Sequence, residues 1–400
     1  MSKVKLLICF TVLVDIIGIG IVVPTLPFYV TSLGVRPLVV ALLFAVYSLC
    51  SFVSSPFLGA LSDRIGRRPI LIISILSTAI GWFVFAASRW LPLLFLGRII
   101  DGLAAGNIST AQSCLVDVAK DDKERSANLG LIGAMFGIGF IIGPLLGGIL
   151  GHYGQSLPFW FAAGLSFVNV VLAMFFLPET HTKRDHAYGK LKINPFSPLF
   201  RALRNKKLLP SYTVWLLFGL GAMSVHSIFA LYLGRVFHLG ALAVGVFFGC
   251  IGLIISFNQG VGLKHFWLKK FREPDLAFIM VLIYAFAYLL MSVAYLWLFV
   301  VGLVVTAFCQ SILRVVITSQ VVAEAEPHAK GEALGILNSV MAVSMIVSPA
   351  ISGVIFEYKE NSPFILGSMY MFLALGVIYY HRRKLAKLTL PEDTQVPTGM

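Results

Sequence analysis

Four ionisable side chains stand inside stretches that are otherwise apolar for twenty residues or more: Asp15, Arg98, Asp101 and Arg314. A carboxylic acid in such surroundings can take up and release a proton near neutral pH, whereas a guanidinium keeps its charge and must be paired, hydrated or bound to an anion. The chemistry these residues suit is the handling of protons and ions within a membrane. Asp15 could carry a proton, or it could be a structural carboxylate held by a neighbouring helix. Arg98 and Asp101 are three residues apart and could neutralise each other on one helical face without excluding a working role. Ala105, Ser109 and Gln112 would extend that face, with Asn107 beside it. His226 could titrate in the working range, or be a hydrogen-bonded packing residue. Gln310 and Arg314 share a face at i,i+4. Arg314 could bind an anionic substrate, stabilise a deprotonated carboxylate across a cavity, or pair with Glu324. Phe229, Tyr232 and Phe257 could add apolar wall.

Other chemistries find no residues to carry them. The runs Gly18-Ile-Gly20 and Gly137-Ile-Gly139 lie inside apolar segments with no strand before them and no GK[ST] after, which excludes a nucleotide loop. No nucleophile and base stand together in a polar segment, so the chain is not expected to be an enzyme. The five cysteines are scattered through apolar runs with no CxxC and no Cys/His cluster, so no metal site or other cofactor is expected.

The elements that must hold these side chains are membrane helices. Of 400 residues, 58% are apolar and 12% charged, and the mean hydropathy is +0.90; soluble domains carry roughly 25% charge. Hydropathy and helix breakers give twelve spans, at 5–31, 38–61, 69–88, 91–117, 127–151, 157–177, 210–235, 241–263, 276–294, 296–322, 332–356 and 363–381. The first is too long for a signal-peptide core. Of the 31 Lys and Arg, only Arg36, Arg89, Arg235 and Lys359 fall in outer loops if the N-terminus is cytoplasmic. Arg98 and Arg314 lie within spans, and all the others lie on the cytoplasmic side. This asymmetry predicts that both termini are cytoplasmic and that the net charge of +13 faces anionic lipid headgroups, not nucleic acid.

The expected architecture is an all-α integral membrane protein in two pseudo-symmetric six-helix bundles. These are residues 1–178 and 210–381, joined by a basic linker (179–209) and followed by a tail (382–400). Within the linker, residues 194–207 could form an amphipathic helix on the inner leaflet or remain a plain tether. Gly130, Pro144 and Gly148 of span 5 recur as Gly335, Pro349 and Gly353 of span 11, the internal repeat expected of a rocking-bundle transporter.

Four motifs carry a resemblance. Between spans 2 and 3 stands Gly59-Ala-Leu-Ser-Asp-Arg-Ile-Gly-Arg-Arg68, in which Gly59 would let two helices approach and Gly66 would permit a tight turn. Asp63, Arg67 and Asp117 would form a charge cluster there, with Arg64 beside it. Span 4 carries Leu96-Gly-Arg-Ile-Ile-Asp-Gly-Leu-Ala-Ala-Gly106. Span 5 carries Gly139-Phe-Ile-Ile-Gly-Pro-Leu-Leu-Gly-Gly148, with Gly139, Gly143, Pro144, Gly147 and Gly148 in motif register. Span 1 reads Val14-Asp-Ile-Ile-Gly-Ile-Gly-Ile-Val-Val-Pro-Thr-Leu-Pro27. Together these resemble the major facilitator superfamily, in its twelve-span drug–proton antiporter branch, and are similar to tetracycline-efflux-like proteins. The second half departs from the pattern: residues 260–275 lack the acidic signature, and spans 3 and 9 hold no acid, which speaks against tetracycline as substrate.

The resemblance implies that spans 1, 4, 7 and 10 line a central cavity, that the Asp63–Arg67–Asp117 cluster latches the halves in one state, and that span 5 marks an exporter. The implied function is export of a small amphiphilic molecule or drug against protons by alternating access. Asp15, Asp101 and Arg98 would couple the proton. Asn107, Gln112, His226, Phe229, Gln310 and Arg314 would line the cavity. An uptake carrier or uniporter, a siderophore exporter and a non-transporting sensor are the alternatives. The expected setting is a monomer in a bacterial inner membrane, with a small-molecule substrate and lipids as its partners.

Overall fold

A computed structural model describes residues 3–180, 194–326 and 329–389. The linker residues His181, Lys183, Arg184, Lys190 and Lys192, and the tail beyond 389, lie outside the described residues. Among the described residues, twelve helices are long and apolar enough to cross a membrane, as hydrocarbon demands of any chain whose backbone groups must pair within their own segment. The chain is an integral multi-pass membrane protein. Spans 1 to 3 are Lys3–Thr31, Pro37–Ile65 and Arg67–Ala87; span 4 comes in two pieces, Leu91–Leu103 and Asn107–Asp117. Spans 5 to 8 are Asp122–Tyr153, Leu157–Phe176, Leu209–Val236 and Ala241–Phe257. Spans 9 to 12 are Glu273–Met291, Leu296–Glu324, Lys330–Tyr358 and Ser362–Thr389. With an even number of spans, both chain ends lie on one face, here called the terminal face.

Local chemistry starts these helices. Proline occupies the first turn of spans 2, 6, 7 and 9, where its missing N–H costs nothing. Span 5 opens on a capping box: Asp121 accepts from the Glu124 backbone N–H at 2.7 Å, and Glu124 accepts in turn from Lys120 N–H. The Glu124 carboxylate also pairs with Lys5, joining spans 1 and 5.

Span 8 stays helical beyond residue 263, where the sequence expectation ended it. It continues as a π-helix, Asn258–Trp267. The Asn258 side chain accounts for the wider coil: it donates to Ser311 Oγ at 2.6 Å and accepts from Trp267 Nε1 at 2.9 Å. In the linker a helix does form, Ser197–Arg204, shorter than the sequence allowed. It buries Ala202, exposes Phe200 and Leu203, and pairs Arg201 with Glu332 at 3.0 Å.

In the first half, span 1 packs on spans 5 and 6, span 3 on spans 4 and 6, and span 2 on span 4. In the second, span 7 packs on spans 11 and 12, span 9 on spans 10 and 12, and span 8 on span 10. The halves meet mainly where span 5 lies against span 8 and span 2 against span 11. At the first seam Gly245 is pressed against the Pro144 carbonyl, and a Cβ on Gly148 would lie 2.9 Å from the Ala241 carbonyl oxygen. The other stripe of the span 5 motif faces span 1: a Cβ on Gly143 would sit 2.8 Å from Gly20 Cα.

The second seam is closed only toward the face opposite the chain ends. There Gly353 meets Ala41 and Leu38, and Glu357 accepts from the Leu38 N–H at 3.3 Å. Toward the terminal face, spans 2 and 11 part around a cleft of about 220 Å³, lined by Tyr47, Ser51, Phe52, Asn338, Ser339 and Met345 among others.

A side chain at the span 5–8 seam has no space to occupy. Gly245→Val is expected to cost about 1–3 kcal/mol through overpacking and to lower the thermal midpoint in detergent. Gly240→Ala, which has open space at its Cβ, should leave that midpoint unchanged.

Candidate functional site

Span 4 owes its shape to a break. The helix stops at Leu103 and restarts at Asn107, with a tight turn in which Gly106 N–H donates to the Ala104 carbonyl at 2.7 Å. Carbonyls freed or strained at a break within hydrocarbon must find donors. Ser54 Oγ donates to the Gly102 carbonyl at 2.9 Å, Ser55 Oγ to the Ala105 carbonyl at 3.1 Å, and Ser77 Oγ to the Ile100 carbonyl at 2.5 Å. Two serines of span 2 and one of span 3 thus hold the kink. It divides the helical stripe expected from sequence: Arg98 and Asp101 are buried, while Ser109 and Gln112 are exposed.

Around the break lies a chain of polar side chains buried between spans 1, 3 and 4. Arg98 Nη1 lies 3.3 Å from Asp101 Oδ2, with both side chains about 5–6% exposed. The guanidinium is boxed by aromatic faces, 4.4 Å from the Tyr47 ring centroid and 4.9 Å from that of Trp82, contacts that favour a desolvated cation. Thr78 lies between Asp101 and Asn107, and its hydroxyl accepts from Asn107 Nδ2 at 3.3 Å. Asn107 in turn lies beside Asp15, which is near enough to Asp101 for their charges to interact. The Asp15 carboxylate is buried, and its Oδ1 has no hydrogen-bond partner among the described residues. Sequence placed Asp15, Arg98, Asp101 and Asn107 here; Thr78, Tyr47, Trp82 and the three serines are ordinary residues in sequence and gave no sign of their role.

At the terminal face the Asp63–Arg67–Asp117 contacts form. Arg67 Nη1 is 2.5 Å from Asp63 and its Nε is 3.1 Å from Asp117 Oδ2, with Ser62 Oγ accepting at 2.6 Å. Sequence reading missed Glu179, which follows span 6. Its two carboxylate oxygens accept from the backbone N–H groups of Arg67 at 2.9 Å and Arg68 at 3.2 Å, capping the positive end of span 3. Gly66, at φ 112°, makes the turn and leaves space for that carboxylate. These contacts tie spans 2, 3 and 4 to Glu179, three residues past span 6. Gly59 also corrects an expectation: nothing approaches its Cβ position within 4 Å, so it does not serve as a close-packing point in this conformation.

In the second half the cavity candidates separate. Phe229 is buried in an aromatic cluster, 4.9 Å from Phe248 and 5.9 Å from Phe299, centroid to centroid. It packs span 7 on spans 8 and 10 and does not line a cavity. Tyr232 belongs to the same cluster, and Phe257 is exposed. His226 is half-buried against Phe248 at 5.4 Å. Gln310 is half-buried and Arg314 exposed. Glu324 does not pair with Arg314; its carbonyl takes Lys207 Nζ at 2.8 Å.

Two six-span halves meeting along two seams, with buried ionisable groups at mid-depth and a cleft open on one side, define a membrane transporter. A family model described as Major Facilitator Superfamily matches residues 8–266 and 263–399, and the chain belongs to that family; it is a transporter, not an enzyme. It is 27% identical over 399 residues to the tetracycline resistance protein, class H, of Pasteurella multocida, covering 96% of this chain and 98% of that one. It is 25% identical over 387 residues to the quinolone resistance protein NorA of Staphylococcus aureus (strain MSSA476), covering 94% of each. Among solved structures, a peptide transporter POT (E310Q mutant) superposes with a TM-score of 0.80 at 16% identity, over 95% of this chain and 94% of that one.

Removing one partner of a buried ion pair strands the other charge. Arg98→Leu is expected to destabilise the first half by about 3–5 kcal/mol, read as a lower thermal midpoint in detergent. Arg98→Leu combined with Asp101→Leu should recover a large part of that loss.

Proposed function

We propose that this transporter exports a small amphiphilic molecule or drug in exchange for protons, by alternating access. The observation that supports this most is Asp15: a buried carboxylate with a bare oxygen, beside Asn107 and near enough to Asp101 for the two charges to interact. Two carboxylates sharing one buried network repel when both are charged, so the network is a natural seat for a single proton. The resistance proteins among the relatives support export and a drug-like substrate.

In the proposed cycle the cell interior lies on the terminal face. Substrate enters from that side while the network is deprotonated. With the opposite side open, a proton reaches Asp15 or Asp101 and substrate leaves. The protonated, neutral network then permits return, and the proton passes to the interior. Proton and substrate exclude each other because each stabilises a different charge state of one cavity. Arg98 stays charged throughout, and its aromatic box and Asp101 hold the network in place. The coupling ion is the proton, no other cofactor is required, and one copy in a bacterial inner membrane suffices, with both termini in the cytoplasm.

In liposomes with an internal pH dye and an imposed proton gradient, the wild type is expected to move protons when a lipophilic drug is supplied. Asp15→Asn should abolish that signal while the protein stays folded by circular dichroism. Drug-dependent proton movement at the wild-type rate in Asp15→Asn would overturn the assignment. Drug flux without proton movement in the wild type would make the protein a facilitator.

A further inference from the structure

The second half holds a cation that has no counter-charge among the described residues. Arg314 lies ten residues from the terminal-face end of span 10 at Glu324, about 15 Å along the helix at 1.5 Å per residue. It makes no ion pair, side-chain hydrogen bond or cation–π contact among the described residues; only its backbone carbonyl is engaged, by Thr318 Oγ1 at 2.7 Å. The acids nearest in sequence or on neighbouring spans are engaged elsewhere or lie apart. Glu273 takes Ser319, Asp275 takes Arg382, Glu332 takes Arg201, and Glu324 sits three turns away, toward the terminal face. One turn from Arg314, on the same face, the Gln310 side-chain amide also has no hydrogen-bond partner among the described residues.

The helix wheel separates this face from lipid. Span 10 exposes Trp297, Val301 and Val304 as a stripe. At 100° per residue Arg314 lies about 80° off Val304 and within about 20° of Leu303 and Ala307. Those two are 7% and 2% exposed, and Val321, two turns nearer the terminal face on the same side, is fully buried. Arg314 is the exposed residue between them, off the lipid stripe. An apolar stripe carrying a bare guanidinium and a bare amide at i,i+4 matches a ligand with an apolar body and one planar anionic group, since the guanidinium fork fits a carboxylate in two-point contact.

We propose that Arg314 and Gln310 form the anion-binding point of the substrate cavity, and that the cargo includes amphiphilic organic carboxylates. Resting on the transport reading above, this names a substrate class. A phospholipid headgroup offers similar chemistry, but the depth of Arg314 favours a small anion that enters the cavity.

The test is equilibrium binding to the purified full chain in nanodiscs, which needs no proton gradient. Pyrenebutyrate is the anionic probe, its amide the neutral control, and ethidium the cationic one. In phosphatidylcholine discs the wild type should bind pyrenebutyrate saturably and its amide at least tenfold more weakly. Arg314→Gln should weaken pyrenebutyrate at least tenfold and leave ethidium within twofold, while Arg314→Lys and Gln310→Leu should show intermediate losses. Should Arg314→Gln not fold, Arg314→Lys and Gln310→Leu carry the test. No saturable pyrenebutyrate binding to the wild type, or equal binding by the Arg314 variants, would overturn the proposal. So would phosphatidylglycerol discs that abolish binding in the wild type, because a lipid headgroup would then be the occupant. Proton-coupled ethidium export with no carboxylate binding sinks this site alone. Carboxylate binding with no proton-coupled flux sinks the export reading and leaves the site standing.

Discussion

Hydrocarbon offers no hydrogen bonds, and most of what distinguishes this chain from a plain bundle of apolar helices follows from that constraint. A polar group placed at depth must find a partner in the protein. Span 4 can break between Leu103 and Asn107 only because Ser54, Ser55 and Ser77 stand where carbonyls need donors. Arg98 can be buried only because Asp101 lies alongside and Tyr47 and Trp82 box the guanidinium. Among the side chains left bare under the same constraint, Asp15 Oδ1 stands in the first half and the Arg314 guanidinium in the second.

The seams between the halves divide the mechanical work. Span 5 meets span 8 through backbone-to-backbone contact at Gly245, Pro144 and Gly148, with the Leu145 side chain set against Gly249. Span 2 meets span 11 closely only near Ala41 and Gly353, and parts toward the terminal face. The Arg67 cluster lies at the base of the same span 2 and binds it to spans 3 and 4 and to Glu179. It joins the terminal-face ends of spans 2, 3 and 4 to one another and to the chain after span 6.

Much of this was legible in the chain itself, for physical reasons. Twelve apolar runs at membrane length leave few alternative folds, and buried charges attract notice by their cost. Hence Asp15, Arg98, Asp101 and the Asp63–Arg67–Asp117 contacts could be read from residue type and spacing. What escaped reading depends on geometry between spans. Serine and threonine are common in membrane helices, and nothing local marks Ser54 or Thr78 as the partner of a distant carbonyl or amide. The π-helix of span 8 rests on Asn258 reaching Ser311, 53 residues away. Phe229 was assigned to a cavity wall because aromatics suit one, whereas Phe248 and Phe299 had already claimed its ring. Gly59 matches its motif yet touches nothing in this conformation, so a signature position need not be used in every state.

Glu179 also bears on the order of synthesis. Arg67 and Glu179 are 112 residues apart, and the ribosome makes them in that order. Spans 2 and 3 therefore leave the ribosome long before the carboxylate that caps span 3 exists, and until then the amides of Arg67 and Arg68 are served by water at the membrane surface. The turn at Gly66 cannot take its final form before span 6 has been threaded and its trailing residue delivered. Completion of the first half thus waits on contacts from a residue that follows its last span.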